Sequence, residues 1–259
     1  MIPIRSKKEI ECLRKSAELL VKTFRAVEKY LKSGVSTEEL DAIAYETIVG
    51  EKGIPAFKGY NGYPASICVS INEEVVHGIP GKRKIKEGEL IGVDIGVNLN
   101  GWFTDAARTY AIGPLSPEKE RLLQVTHEAL FLGIRQCRPK NRLSDISHAI
   151  QNHVESHGFS VVRSLVGHGI GRAMHEEPQI PNYGLPHQGP ELKPGMVFAI
   201  EPMVNMGTHE VRILDDGWTV VTADRFPSAH FEHTVVVTED EPMVLTQGLE
   251  AQPYWKKNG

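Results

Sequence analysis

Two aspartates in the stretch IGVDIGVNLNGWFTDAART, residues 91–109, stand where a single β-hairpin would bring them together. Asn100 and Gly101 lie between two β-prone runs, and both tolerate the positive φ that a two-residue hairpin turn demands. With residue 99 facing 102, Asp94 faces Ala107, and Asp105 lies two residues along from that partner. The carboxylates are then diagonal neighbours on one face, with Cβ atoms roughly 7 Å apart. Ile91, Val93 and Ile95 make the strand apolar, so two like charges there repel one another and lose hydration unless a cation lies between them. The hairpin alone admits two readings, a metal site or a solvent-facing turn carrying two surface aspartates.

Other residues join this pair. His168 is flanked by Gly167 and Gly169, with His175 seven residues on. Glycines on both sides would let a ligand approach the backbone around the imidazole. KPGMVFAIEPMV reads as a buried strand with Glu201 at its end, where an unpartnered carboxylate would be costly. In the last strand, AHFEHTVVVTED, Glu232 shares an inward face with Thr234 and Val236, aimed at a cation or at an Arg or Lys partner. His77, in VVHGIP, taken by itself reads as structural. Phe57, Tyr60 and Tyr63, in a loop rich in glycine and proline, read as packing residues that could also wall a pocket.

The elements that must position these groups are legible from caps and periodicity. Ser6 and Glu9 form a capping box before the stripe Ile10, Leu13, Ala17, Leu20, Phe24, Val27 and Leu31, a helix running to just before Gly34. A second helix extends from about Ser36 to Gly53, followed by a strand from Ile67 to Ile71. Ser116 and Pro117 start a third helix through Ile134, and a fourth runs from about Leu143 to Gly158. KEGELIGVD, residues 86–94, repeats as KPGMVFAIE, residues 193–201, 107 positions later. The helix ends EKGI and SHGF repeat 105 positions apart. Each unit therefore reads as helix, helix, antiparallel strands. A repeat this long predicts a duplicated, pseudo-twofold fold: one catalytic domain over 1–259 with halves at about 1–112 and 113–250. If the halves meet at the pseudo-axis, Asp94, Asp105, Glu201 and Glu232 converge and His168 can join them. Two divalent cations would offset that concentration of charge, and a carboxylate-rich set without thiolate suits manganese, iron(II), cobalt(II) or zinc.

Composition narrows the class. The 259 residues are 41% hydrophobic, enough for a substantial core, and the net charge of −4 with no sustained basic tract makes no case for nucleic acid or an anionic membrane. Cys12, Cys68 and Cys137 are too few and too scattered for a disulfide framework and fit a reducing compartment. IPIRSKKEIE after Met1 is no signal peptide, and with no long apolar span the cytoplasm is the expected location. Nothing asks for a partner subunit, so a monomer is expected.

HGIPG, GVDIGVNLNGWFTDAARTY, VGHGIGRAMHEEP, KPGMVFAIEPM and DGWTVVTADRFPSAHFEHTVVV together resemble the type I methionine aminopeptidases, over nearly the whole chain. The resemblance implies the α+β pita-bread fold, a central curved antiparallel sheet with helices on its outer face. It implies that Asp94, Asp105, His168, Glu201 and Glu232 bind two divalent ions, cobalt, manganese, iron(II) or zinc, with Asp105 and Glu232 bridging. The implied reaction is metal-assisted release of the initiator methionine, with Glu201 shuttling a proton, His77 at the scissile nitrogen and His175 at the developing oxyanion. It further assigns a methionine pocket to Phe57, Tyr60, Tyr63, Cys68 and Trp218, and a steric preference for a small second residue. The implied partner is a nascent polypeptide, with transient ribosome association. Met174 departs from the phenylalanine often found before the second histidine, which alters pocket shape. The short spacing from His168 to Glu201 leaves no room for the insertion of type II enzymes, so the short bacterial form is the nearer likeness. The rivals are an aminopeptidase P or prolidase with the same ligands, usually carrying a separate N-terminal domain, and a non-catalytic binding protein, which would be expected to lose ligands.

Overall fold

Side chains that satisfy free N–H groups mark where the helices begin. In the computed structural model, which describes residues 1–249, helices α1 (Lys7–Glu28) and α2 (Thr37–Gly50) open on capping boxes, Ser6 with Glu9 and Ser36 with Glu39. Helix α3 (Pro117–Arg135) has Ser116 as N-cap, and α4 (Leu143–Ser156) begins where Asp145 accepts the Arg142 N–H. Helix α1 ends a turn before its apolar stripe does. Tyr30 N–H donates to Val27 O in a tight turn, from which Leu31 still reaches the core.

The hairpin forms in the expected register. Leu90–Leu99 and Trp102–Ala111 pair with Leu99 opposite Trp102, Asp94 opposite Ala107 and Gly96 opposite Asp105. Asn100 and Gly101 both have positive φ, 54° and 78°. Ile67–Ile71 adds to the other edge of Leu90–Leu99, placing Cys68 opposite Asp94. In the second half, Gly167–Gly169, Val197–Ile200 and His233–Val236 are successive antiparallel neighbours in a five-stranded sheet.

The last strand is not the single run that alternation predicts. It divides into Ser228–His230, paired with Met203–Asn205, and His233–Val236, paired with Val197–Ile200. Both partners break at the same level, at Glu201-Pro202 and at Phe231-Glu232. Pro202 has no N–H to give to a ladder, and the Glu232 N–H instead donates to Ala107 O of the hairpin at 2.8 Å. The two glutamates thus stand where backbone pairing is interrupted.

Hydrogen bonds repeat between the halves. Gly88 N–H donates to Ile112 O and Gly195 N–H to Val237 O; in return Ile112 N–H donates to Glu89 O and Val237 N–H to Met196 O. Each helix pair covers its own sheet with a dry core. Leu20, Phe24, Leu40 and Ile48 pack on Ile67, Val93 and Ile95, while Leu122, Val125, Ile146 and Ile150 pack on Phe198, Ile200 and Val235. A third cluster, with Leu13, Ala17 and Trp102 against Ile170, Val197 and Val236, closes the seam between them.

Candidate active site

All twelve residues singled out in the sequence line one cavity of about 240 Å³: Phe57, Tyr60, Tyr63, Cys68, His77, Asp94, Asp105, His168, His175, Glu201, Trp218 and Glu232. Asp94 and Asp105 enter from the hairpin, His168 from the middle of its short strand, and Glu201 and Glu232 from the two strand breaks. Single ligand atoms of Asp105, His168 and Glu232 lie within 4.8 Å of one another. His168 Nε2 is 3.6 Å from Glu201 Oε1. Its Nδ1 is 2.8 Å from Gly169 O, a carbonyl that can only accept, so Nδ1 carries the proton and Nε2 offers a lone pair toward the carboxylates.

The electrostatics of this cluster are extreme. Burial pushes the Asp94 carboxyl up to about 7 and those of Asp105, Glu201 and Glu232 well above the usual carboxylate range. Repulsion among the acids adds to the burial for the last three. Burial also pulls the His168 imidazole down to about 3, so it is neutral and able to ligate. Asp94 Oδ1, Asp105 Oδ1 and Glu232 Oε1 are buried with no hydrogen-bond partner among the described residues. Three such oxygens would each cost about 1–3 kcal/mol or more without compensation. Divalent cations fit this donor set, carboxylate oxygen and imidazole nitrogen. Cys68 does not alter it, because burial and then the Asp94 charge push its thiol pKa up and keep it protonated.

The walls are aromatic and apolar. Tyr63 donates its O–H toward Ile67 O and Gly78 O and meets Trp218 edge-on at 5.1 Å, so it is both a packing residue and a wall. Phe57 lies over Gly96, where a Cβ would come within 2.6 Å of the ring. Asn61, Val76, Leu165, Val166, Met174 and Met203 complete the lining. His77 adopts φ +60°, a left-handed conformation uncommon for a non-glycine residue. Its pKa is lowered, by burial first and then by His175. His175 Nδ1 is 2.8 Å from the Tyr60 hydroxyl.

One expectation needs correcting. Strand packing by itself requires the glycines beside His168: a Cβ on Gly167 would lie 2.5 Å from Ala199 O, and one on Gly169 2.2 Å from Glu177 O. And a residue was passed over. His230, 4% exposed, has its Nε2 buried without a partner, 3.7 Å from Glu201 Oε2. Alternation backward from Glu232 reaches it, since residues two apart share a face.

Residues 11–239 match metallopeptidase family M24. The chain belongs to that family. It is 51% identical over 247 residues to methionine aminopeptidase 1 of Bacillus subtilis, covering 95% of this chain and 100% of that one. The crystal structure of methionine aminopeptidase from Rickettsia prowazekii superposes with a TM-score of 0.93 at 41% identity, covering 95% of this chain and 100% of that one. The prolidase from Pyrococcus furiosus, at TM-score 0.74, 21% identity and coverage of 94% and 65%, shares the fold alone. The architecture is the pita-bread fold, mixed helix and antiparallel sheet. Among the described residues no helix is long and apolar enough to cross a membrane.

Proposed function

We infer that this chain is a methionyl aminopeptidase, a metal-dependent hydrolase that removes the N-terminal methionine of peptides. The observation that carries the reading is the set of orphaned carboxylate oxygens beside a neutral His168, at the base of an aromatic cavity. Asp94, Asp105, His168, Glu201 and Glu232 would hold two divalent ions. Bound divalent ions supply Lewis acidity and ionise water near neutral pH.

The remaining steps belong to the protein's own side chains. Glu201, which lines the cavity beside His168, takes and returns the proton of the attacking water. The Tyr60 hydroxyl is 2.8 Å from His175 Nδ1; as donor there it would leave the imidazole proton on Nε2, the atom that would donate to the substrate carbonyl oxygen as charge develops. His77 contacts the nitrogen of the scissile bond. Phe57, Tyr60, Tyr63, Cys68 and Trp218 enclose a flexible thioether, with Met174 as a further soft wall. A small second residue is preferred for steric reasons. Nascent chains are the natural substrates, which places the enzyme in the cytoplasm, and it acts as a monomer.

The test compares Met-Ala-Ser, Met-Leu-Ser and Ala-Pro-Ser, using metal-free protein titrated with manganese, iron(II), cobalt(II) or zinc. Metal-dependent release of methionine from Met-Ala-Ser alone is expected. Cleavage of only the proline peptide would overturn the pocket assignment, and no cleavage with any metal would overturn the enzymatic reading.

A further inference from the structure

We propose that His230 is a further ligand of the metal centre, its Nε2 binding the ion that Glu201 and Glu232 hold. The proposal rests on the reading of the cluster as a divalent-metal site and adds a donor that the five-residue set lacks. Three independent observations support it.

The first is the state of the imidazole. His230 is 4% exposed and its Nε2 has no hydrogen-bond partner, an arrangement that is costly for a buried polar atom unless something else satisfies it. Single ligand atoms of Glu201, His230 and Glu232 lie within 4.8 Å of one another, and Glu232 also belongs to the group formed with Asp105 and His168.

The second is the spacing. The 3.7 Å between His230 Nε2 and Glu201 Oε2 exceeds an N–H···O hydrogen bond, but it matches the 3.6 Å between His168 Nε2 and Glu201 Oε1. Ligands arranged around an ion at about 2.1 Å stand roughly 3–3.5 Å apart. The Glu201 carboxylate therefore lies between two imidazoles, one oxygen toward each, and both separations are near the edge length of a coordination shell.

The third is the symmetry of the fold. Thr234 Oγ1 accepts the Asp105 N–H and donates to Asp105 O, while Thr109 Oγ1 accepts the His230 N–H and donates to His230 O. Both relations carry the same offset of 125, as do Ile112 and Val237 in the repeated turn bonds. His230 thus occupies in the second half the place that Asp105 occupies in the first, just as Glu201 answers to Asp94. The hairpin's two donors have two counterparts across the seam, one of them nitrogen. A second imidazole moves the site away from the all-oxygen environment that suits manganese and toward zinc, iron(II) or cobalt(II).

The test uses the full chain labelled with 15N-histidine and loaded with zinc, which is diamagnetic, so that metal-bound imidazole nitrogens are counted directly by NMR. Two bound imidazoles are expected in the wild type, one lost in H168Q and the other in H230Q. By equilibrium dialysis, H230Q weakens zinc binding at least tenfold and manganese binding by clearly less. One bound imidazole, assigned by H168Q, overturns the proposal and leaves the metal reading intact. A second signal that survives H230Q also overturns it. No bound imidazole at all overturns both. The wild-type count stands even if a variant fails to fold, and H230N then supplies the assignment.

Discussion

At the scale of single residues, the Tyr60 hydroxyl sets the chemistry of His175, to which we assign the substrate carbonyl. Tyr60 and His175 are held ring to ring at 5.2 Å, and the Tyr60 hydroxyl is 2.8 Å from His175 Nδ1. Removing that hydroxyl while keeping the ring leaves the imidazole free to place its proton on either nitrogen, and only one tautomer donates to the substrate carbonyl. Y60F is therefore expected to lower kcat for Met-Ala-Ser about tenfold, equivalent to about 1.4 kcal/mol, while KM changes little. Steady-state kinetics decide the point. A rise in KM at constant kcat would assign Tyr60 to binding alone. This contact was not legible in the sequence, because Tyr60 and His175 lie 115 residues apart and neither neighbourhood has a periodic pattern. The hairpin pair was legible for the opposite reason. Asn100-Gly101 sets the register, and once the register is known the positions of Asp94 and Asp105 follow by counting.

Helices and strands were read best where a local signal marks their ends, and least well where a distant partner decides them. Serine caps placed α1, α2 and α3. The division of the last strand depends instead on Pro202, at the break between its two partner strands, and on Ala107 of the hairpin, neither of which alternation can register. The glycines around His168 mislead in the same way, since the atoms that require them belong to residues 177 and 199. The start of α4 shows what a cap contributes when it also binds a loop. Asp145 is 9% exposed and accepts N–H groups from Arg142 at 2.7 Å and His187 at 2.8 Å. Burial pulls its carboxyl up, but these two N–H donors and the His187 charge hold it below its usual 3.8. A depressed folded pKa contributes stability above the unfolded value, and that stability is lost as pH falls through the folded value. D145A is expected to destabilise the protein by about 1 kcal/mol at neutral pH. Below about pH 3.8 the gap from the wild type should close. Denaturant melts across that range check both sign and window; a gap that widens on acidification would contradict the assignment.

For the whole molecule, the seam between the halves decides whether four acids meet at one point. Where Trp102–Ala111 faces residues 230–234, three rungs cross it: Thr234 to Asp105, Glu232 to Ala107 and Thr109 to His230. Only the middle rung is backbone to backbone; the outer two are threonine hydroxyls, each satisfying both the N–H and the carbonyl of one residue opposite. We read the repeated bonds and the paired helices as the product of a duplication, with the pseudo-axis passing between Ala107 and Glu232. On that reading the two threonines are equivalent in the fold but not in what they support, because Asp105 belongs to the five-residue set and His230 does not. T234V keeps the volume, deletes the hydroxyl and strands two buried backbone groups of Asp105, at an expected cost of about 1–3 kcal/mol. T109V strands the same groups of His230 at a similar cost. The variants separate when divalent metal is added. A saturating ion stabilises the wild type by about 2.7 kcal/mol at a hundredfold excess over Kd, and T234V should lose the larger share of that gain because it loosens Asp105, which we propose as a metal ligand. Differential melting with and without manganese measures the difference, and manganese, which favours oxygen donors, reports on Asp105 with the least contribution from His230. Equal losses in both variants would mean that the seam acts as one rigid unit and that either hydroxyl sets the spacing of the whole centre.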